Sequence, residues 1–407
     1  MSSLNKKIFY FSIFFLSLVA SFYFGENSSG GSKHDYIVTK KFFDAFKEDF
    51  FTGFHFFINP TGVQLPSFYI LIGSLSKIFG DNFVKYLYLV ISSLVPLILY
   101  SVLKKKFSKA NNEYLFLLSL LIFLSPYFRS SAVWLTTDNL ALLFFLLSIN
   151  FFLKLENPKN KFFKNTIICF FFLILASYIR HYYGVFFIFY FIKIQTRSRF
   201  IDNFYIILFN LFCAIPLIVY VVIISKSSDS SQVFSYVKID FIFNFLTFTS
   251  LFLFYFTPLV FNKYGFENFI KLLNYKKKII FLLIFLSSII FLLYEIPVYS
   301  HGGGMFYKIS NLFNLNLFFF FSLSGLLFLY IFNDNNIGNN LIYLILIIFL
   351  PKMIIFQKYY DPLIYILFLT LINSKFINDL IENHKVNLKF IYIYNLIFLV
   401  SCNLYYL

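Results

Sequence analysis

Residues 27–66 read NSSGGSKHDYIVTKKFFDAFKEDFFTGFHFFINPTGVQLP, the longest stretch with polar side chains in an otherwise apolar chain. It follows the hydrophobic run Ile8–Phe24 and precedes a long succession of others. It carries the carboxylates Asp35, Asp44, Glu48 and Asp49, and the histidines His34 and His55. Apolar runs of spanning length on either side make it a loop between membrane segments. It is also where a reacting group would find a base.

The rest of the composition agrees. Of 407 residues, 60% are apolar, 24% aromatic and only 13% charged, against about 25% charged in a soluble domain. The expected fold is all-α and polytopic. No polar stretch is longer than the opening one, so residues 1–407 read as a single integral-membrane domain. The net charge is +16. Lysine and arginine concentrate in cytoplasmic loops by topology, and they also attract anionic lipid or lipid phosphate. They are scattered between spans rather than gathered on one domain, which argues against nucleic acid. Cys169, Cys213 and Cys402 sit in apolar runs without CxxC spacing. They read as small core residues, with no disulfide framework and no metal set. No cofactor is implied.

Lys6 and Lys7 precede Ile8–Phe24 and place the N-terminus in the cytoplasm. The run has no small-x-small cleavage site, so it reads as an uncleaved first span. Residues 25–66 then form the first outer loop, in periplasm or lumen. Within it Val38, Phe42, Phe46 and Phe50 recur every four residues, with Lys40, Asp44 and Lys47 on the other side. That spacing predicts an amphipathic helix in the membrane interface. Phe68–Phe79 is short for a span and reads as embedded or re-entrant. Asn82–Leu103 returns to the cytoplasm at Lys104-Lys105-Lys106. Further runs follow at 114–127, 135–153, 166–178, 182–194, 204–224, 241–261, 279–294, 312–332, 341–356, 362–372 and 390–407. Counting by span length gives about 13 transmembrane helices. No inverted repeat of the kind found in secondary transporters is visible.

Parity places several ionisable residues on the outer side: Asp35, Arg129, Asp138, Arg180-His181, His301, Lys308, Lys358 and Asp361. Such residues in or beside spans are expensive and default to functional hypotheses. Arg129 and Lys308 also suit snorkelling to headgroups, and Asp138 suits a helix N-cap. Arg180 lies inside an apolar hairpin and is harder to explain by topology. The triplet Gly302-Gly303-Gly304 lacks the surrounding pattern of a phosphate loop. An outer carboxylate with several cations suits transfer of a group from a lipid-linked phosphate. The carboxylate takes the acceptor's proton, and the cations hold the phosphate as its charge grows.

The run HDYIVTKKFFDAFKEDFF, followed by INPTGVQLPSFYILIGSLSKIFG, resembles the first outer loop of the GT-C superfamily of membrane glycosyltransferases. Among these the chain is most similar to the dolichyl-phosphate-glucose α-1,2-glucosyltransferase family. SPYFRSSAVWLTTDNLALLFF, SYIRHYYGVFF, SKSSDSSQ and LPKMIIFQKYYDPLIY resemble its later segments in the same order. The chain departs from that family at four places. An Asp-Glu pair is Asp35-Tyr36 here, and an Arg-Gln pair is Arg180-His181. A late arginine falls at Gln357, beside Lys358. An Arg-His falls in the Gly302–Gly304 region, near His301.

The resemblance implies an inverting transferase using a polyprenyl- or dolichyl-phosphate sugar, with glucose as the hexose and a lipid-linked or surface glycan as acceptor. It implies Asp35 as general base, with Arg180, Lys358, Arg129 and Lys308 at the donor phosphate. Asp138, His181, His301 and Tyr359 would contact substrate, and the donor's tail would lie among membrane lipids between spans. A bacterial inner membrane is the expected location, or the ER membrane in a eukaryote. A lipid-linked oligosaccharide flippase and a non-catalytic membrane scaffold are the competing readings.

Overall fold

The computed structural model describes residues 3–58, 65–155, 162–197, 199–227, 240–299, 302–334, 336–348 and 355–406. Every regular element among them is helical. Six helices are long and apolar enough to cross a membrane: Leu4–Phe24, Asp81–Lys106, Phe162–Ile179, Phe200–Tyr220, Phe241–Val260 and Leu388–Tyr406. A seventh span results if the bent pair Asn112–Leu124 and Pro126–Val133, at 66°, is one broken crossing. The bend has a local cause. Pro126 cannot donate a backbone hydrogen bond, and Ser125 Oγ instead accepts from Phe128 N at 3.1 Å, so a new helix starts there.

The protein is therefore an all-helical, membrane-embedded chain. Among the described residues, helices of full spanning length number six or seven rather than the expected total of about 13, and several apolar runs are interrupted. The run 182–194 divides into a 3₁₀ turn, His181–Val185, and the ten-residue helix Phe186–Gln195. Ten residues extend ~15 Å at 1.5 Å each, about half of a ~30 Å hydrocarbon core. The run 362–372 holds only the seven-residue helix Leu363–Leu369.

The chain gathers into two compact units. The first comprises Met1–Lys106, Asn112–Tyr236 and Asn395–Leu407. Its helices are α1 (Ser3–Phe24), α2 (Ser32–Glu48), α3 (Phe50–Ile58), α4 (Ser67–Phe79), α5 (Asp81–Lys106), α6 (Asn112–Leu120), α7 (Pro126–Val133), α8 (Asp138–Lys154), α9 (Phe162–Ile179), α10 (Phe186–Gln195) and α11 (Phe200–Ser227). The core lies where α8 packs between α5 and α9. Val95 and Leu99 of α5, Ala141 and Phe145 of α8, and Leu173 and Ala176 of α9 are buried there.

The start of α1 and the ends of α5 and α8 lie together. Lys7 Nζ donates to Tyr100 Oη at 2.7 Å, and Lys105 Nζ donates to the Asn150 carbonyl at 3.2 Å. This end of the unit is lysine-rich. The opposite ends of the same helices meet around Glu26, Arg129, Asp138 and Arg180. That two-sidedness matches the parity expected from the basic residues.

The first loop folds as a helical hairpin. Helix α2 packs on α3 and α4, and Phe42, Phe43, Phe46, Phe57 and Tyr69 form one ring cluster. The expected apolar face needs correction. Phe43 and Phe46 are buried, whereas Val38 and Phe50 are exposed. The helix stops at Glu48, and Phe50 opens α3, whose start is capped by Asp49 Oδ2 accepting from Thr52 N at 2.9 Å. A break in the helix resets its phase, so a four-residue spacing carried across it marks no single face. The backbone hydrogen bond from Thr52, offset in part by burial, holds the Asp49 carboxyl below its ordinary range.

The second unit comprises Phe107–Asn111 and Val237–Tyr394. It is built around Phe241–Val260, which is buried along most of its length against Asn316–Phe332. At Gly325 an added Cβ would collide with the Thr249 carbonyl oxygen, so the two backbones touch where a side chain has no room. Ser322 Oγ donates across this seam to the Leu246 carbonyl at 2.9 Å.

Candidate functional site

The first unit assembles a polar site at the end opposite its lysines. Helix α7 holds the loop that leads into α2. Ser28 Oγ donates to the Pro126 carbonyl at 2.8 Å, and Ser29 N donates to Ser130 Oγ at 2.9 Å. Trp134 Nε1 donates to the Glu26 carbonyl at 2.8 Å. The centre of this clamp is an ion pair. Arg129 Nε donates to Glu26 Oε1 and Oε2 at 3.1 and 3.0 Å, and Nη2 donates to Oε2 at 2.9 Å. Its remaining N–H groups go to Ser17, Ser21 and the Phe123 carbonyl.

Arg129 is buried and fully engaged. Its expected place at a donor phosphate is therefore corrected: Glu26 already occupies the fork that a phosphate would fill. Burial, the largest influence on the Glu26 carboxyl, raises its pKa. The hydrogen bond and charge of Arg129, with Ser21 and Ser28, outweigh it and hold the group below its ordinary 4.5.

Asp35 stands in the first turn of α2. Its neighbours pin that turn. The Tyr36 and Trp134 rings lie 6.0 Å apart, Lys33 Nζ is 5.8 Å from the Trp134 ring, and Lys85 Nζ is 4.9 Å from the Tyr36 ring. A carboxylate in the first turn is also favoured by the helix dipole.

Asp138 opens α8 after a tight turn in which Leu135 takes a left-handed φ of 50°. A buried branched residue rarely adopts that conformation. Hydrogen bonds hold it: Thr136 N donates to the Ser131 carbonyl at 3.2 Å, and Asn139 Nδ2 donates to the Phe128 carbonyl at 3.0 Å. The residue at the N-cap is Thr137, whose side chain makes no capping bond, and Asp138 is the first residue of the helix. Arg180 Nη2 approaches its two carboxylate oxygens at 2.8 and 2.9 Å, and Thr136 Oγ1 donates to Oδ2 at 3.1 Å.

Arg180 follows the last residue of α9 in extended backbone and is buried. The charges of Arg180, Asp35 and Asp138 all act on the hydroxyl of buried Tyr69, in α4. Three of the expected residues thus share one locality.

Beside it runs an apolar groove of about 420 Å³ between α9, α10 and α11, lined by Tyr178, His181, Phe187, Phe191, Leu211 and Leu217 among others. His181 is the residue after Arg180, so the groove abuts the charged site through the chain itself.

The other expected residues belong to the second unit. Lys308 lies on the helix Gly304–Phe313. Lys358 lies in the turn Gln357–Tyr359, its ammonium 5.6 Å from both the Phe356 and Tyr359 rings. Gln357, at the position of the family's late arginine, is buried. Its Oε1 accepts from Met305 N and its Nε2 donates to Tyr255 Oη, each at 2.9 Å. That side chain joins two segments, which leaves Lys358 as the cation there. Gly302, Gly303 and Gly304 have φ of 86°, 73° and 82°, and Gly303 N donates to the Ile355 carbonyl at 2.7 Å. The triplet makes this close join possible. His301 lies outside the described residues, as do most of the expected polar loop 225–240 and the turn 59–62. No group of three metal-ligating side chains occurs among the described residues.

Sequence reasoning missed Glu26 and Tyr69. Glu26 was detectable as a carboxylate directly after the first span. Tyr69 lies in the Pro-aromatic entry Leu65-Pro66-Ser67-Phe68-Tyr69 of the stretch quoted for the resemblance, but it was given no role of its own. Comparison with family models, curated proteins and solved structures returned no match.

Proposed function

We propose that the protein is a GT-C-type inverting glycosyltransferase with about 13 membrane-embedded apolar segments. It moves a hexose, with glucose the first candidate, from a polyprenyl- or dolichyl-phosphate sugar to a lipid-linked or surface glycan. The reaction takes place on the periplasmic or lumenal face, and the bacterial inner membrane is the favoured setting. The single observation carrying this reading is the Asp138–Arg180 ion pair, 2.8 Å apart, with an apolar groove beginning at the next residue, His181.

In this reading the groove takes the first part of the lipid tail and Arg180 faces the donor phosphate. Asp138 and Thr136 orient the guanidinium, and His181 lies where tail and headgroup meet. Asp35 accepts the proton of the acceptor hydroxyl. The hydroxyl oxygen bonds to the anomeric carbon as the carbon–oxygen bond to phosphate breaks. The bonding pair leaves with the polyprenyl phosphate, and the added negative charge falls beside Arg180. Lys358 and Lys308 are further phosphate candidates and Tyr359 a candidate substrate contact, as the resemblance implies. Arg129 has no part in this, being committed to Glu26.

The test is transfer from synthetic polyprenyl-phosphate glucose in proteoliposomes, alongside mass analysis of lipid-linked and surface glycans with and without the gene. Asp35→Asn should lose roughly 10²–10⁴-fold in turnover, the range for a removed general base. Wild-type turnover in a folded Asp35→Asn variant would remove Asp35 from the mechanism. Glycans unchanged by loss of the gene would remove the reaction.

A further inference from the structure

The loop between α1 and α2 is held on two sides. On one side α7 grips it through Ser28 and Ser29. On the other lies the end of the helix Leu388–Tyr406, whose last part, Asn395–Leu407, belongs to the first unit. Phe398 and Cys402 are buried four residues apart, and Tyr406 follows at the same spacing on that face. An added Cβ at Gly30 would collide with the Tyr406 ring, so ring and backbone touch there. Gly30 also holds a left-handed φ of 70°, which favours glycine a second time.

The shape of this loop passes directly into α2. The N-cap of α2 is Gly31, which has no side chain to offer, and Gly30 precedes it. Two successive glycines leave the entry loose by themselves. The capping bonds come from the loop instead. Ser32 N donates to Ser29 Oγ at 3.2 Å, and Lys33 N donates to Asn27 Oδ1 at 3.3 Å. Asn27 Nδ2 in turn donates to the Gly30 carbonyl at 3.3 Å. One turn on, Asp35 N donates to the Gly31 carbonyl at 2.8 Å. The backbone that Tyr406 touches is the backbone that sets Asp35.

We propose that Tyr406 is a positioning residue for Asp35, acting through Gly30. The proposal rests on the transferase reading, in which Asp35 takes the acceptor's proton. In that reading other elements hold the donor, namely Arg180 and the groove between α9, α10 and α11. Loss of the Tyr406 ring should therefore move the base without loosening the donor. A misplacement of about 1 Å costs roughly 10²-fold in rate.

The experiment uses the full chain, in proteoliposomes with synthetic polyprenyl-phosphate glucose for transfer and in detergent for amide hydrogen exchange. Tyr406→Ala should lower kcat roughly 10²-fold, with the donor KM within about twofold of wild type. Tyr406→Phe keeps the ring and should keep kcat within about twofold. Leu404→Ala, at an exposed position of the same helix, should leave kcat and KM within about twofold. Exchange across residues 26–36 should quicken roughly tenfold in Tyr406→Ala, while that of α8 stays as in wild type. Gly30→Ala and Tyr406→Ala should be non-additive in that exchange, because the double variant lacks the ring that the added methyl strikes. Wild-type kcat in Tyr406→Ala, or a donor KM that rises as kcat falls, overturns the positioning role. Unchanged exchange or additive effects overturn the contact with Gly30. A wild type that transfers no sugar overturns the transferase reading and the role in it, while exchange still decides the contact. If Tyr406→Ala does not fold, Tyr406→Leu carries the same comparisons.

Discussion

Arg129 and Arg180 look alike in the sequence, each an isolated arginine near the outer end of an apolar run. The structure separates them by what each is given to bind. Arg129 meets Glu26, Ser17, Ser21 and a carbonyl, all buried with it. Arg180 is held at Nη2 by Asp138, beside a groove. Glu26→Gln should therefore act on stability, because it leaves the Arg129 charge buried without its counter-charge. Breaking such a pair costs about 3–5 kcal/mol, readable as a lowered melting temperature in detergent. An unchanged melting temperature would show the clamp to be dispensable. Acid should act on the same contact. The folded Glu26 carboxyl titrates below its ordinary value of 4.5. Its contribution is thus complete above that value and is lost as the pH falls through the folded pKa. The wild type should lose stability in that acid window more steeply than Glu26→Gln, which has no proton to take up. Arg180→Lys should instead spare stability and weaken the donor, because one ammonium cannot reproduce a fork shared between carboxylate and phosphate. The check is a raised KM for the donor sugar at an unchanged melting temperature.

Helices α2 and α4 show how an element can be read correctly and still be placed wrongly. The bounds expected for the embedded segment and the second span fall within a few residues of α4 and α5, since Gly80 ends one and the apolar run carries the other. The face of α2 was misread, because the residues it buries are chosen by what α4 presents. That choice centres on Gly73, where an added Cβ would meet the Phe43 carbonyl oxygen and Phe46 Cβ, each at 2.8 Å. The two helices touch backbone to backbone there. Gly73→Ala should push them apart and cost about 1–3 kcal/mol, the usual cost of overpacking. Protease cleavage in residues 49–66 should rise with it, whereas the helix-favouring effect of alanine alone would slow cleavage. The Asp138–Arg180 pair was hidden for a related reason. Its members are 42 positions apart; Asp138 had a sufficient local explanation as a cap, and Arg180, which had none, carried no mark of its partner. Local pattern records hydropathy and helix ends; it does not record which distant side chains a turn such as Leu135–Thr137 will bring together.

At the scale of the whole molecule, parity fixes the side of each loop from the span before it, so one misread span inverts everything after it. In the first unit the geometry supplies a check that does not accumulate error. Lys7 meets Tyr100, and Lys6 meets Glu113. The start of α1, the end of α5 and the start of α6 therefore share one side whatever the total number of crossings. Glu26 and Arg129 join the other end of α1 to α7, so the polar site faces the compartment opposite those lysines. Positive charge is retained in the cytoplasm, so the outer side is the expected one for Asp35. Single cysteines in a cysteine-free background test this directly. A membrane-impermeant maleimide applied to intact cells should label Lys33→Cys, on the exposed surface of α2. Lys6→Cys, at the other end of the same span, should be labelled only after permeabilisation. The reverse pattern would put Asp35 in the cytoplasm, where the proposed lipid-linked donor does not present its sugar, and would exclude the transferase on topology alone. Labelling of both positions from outside would show that α1 does not cross, and the two-sided description of the first unit would fall with it.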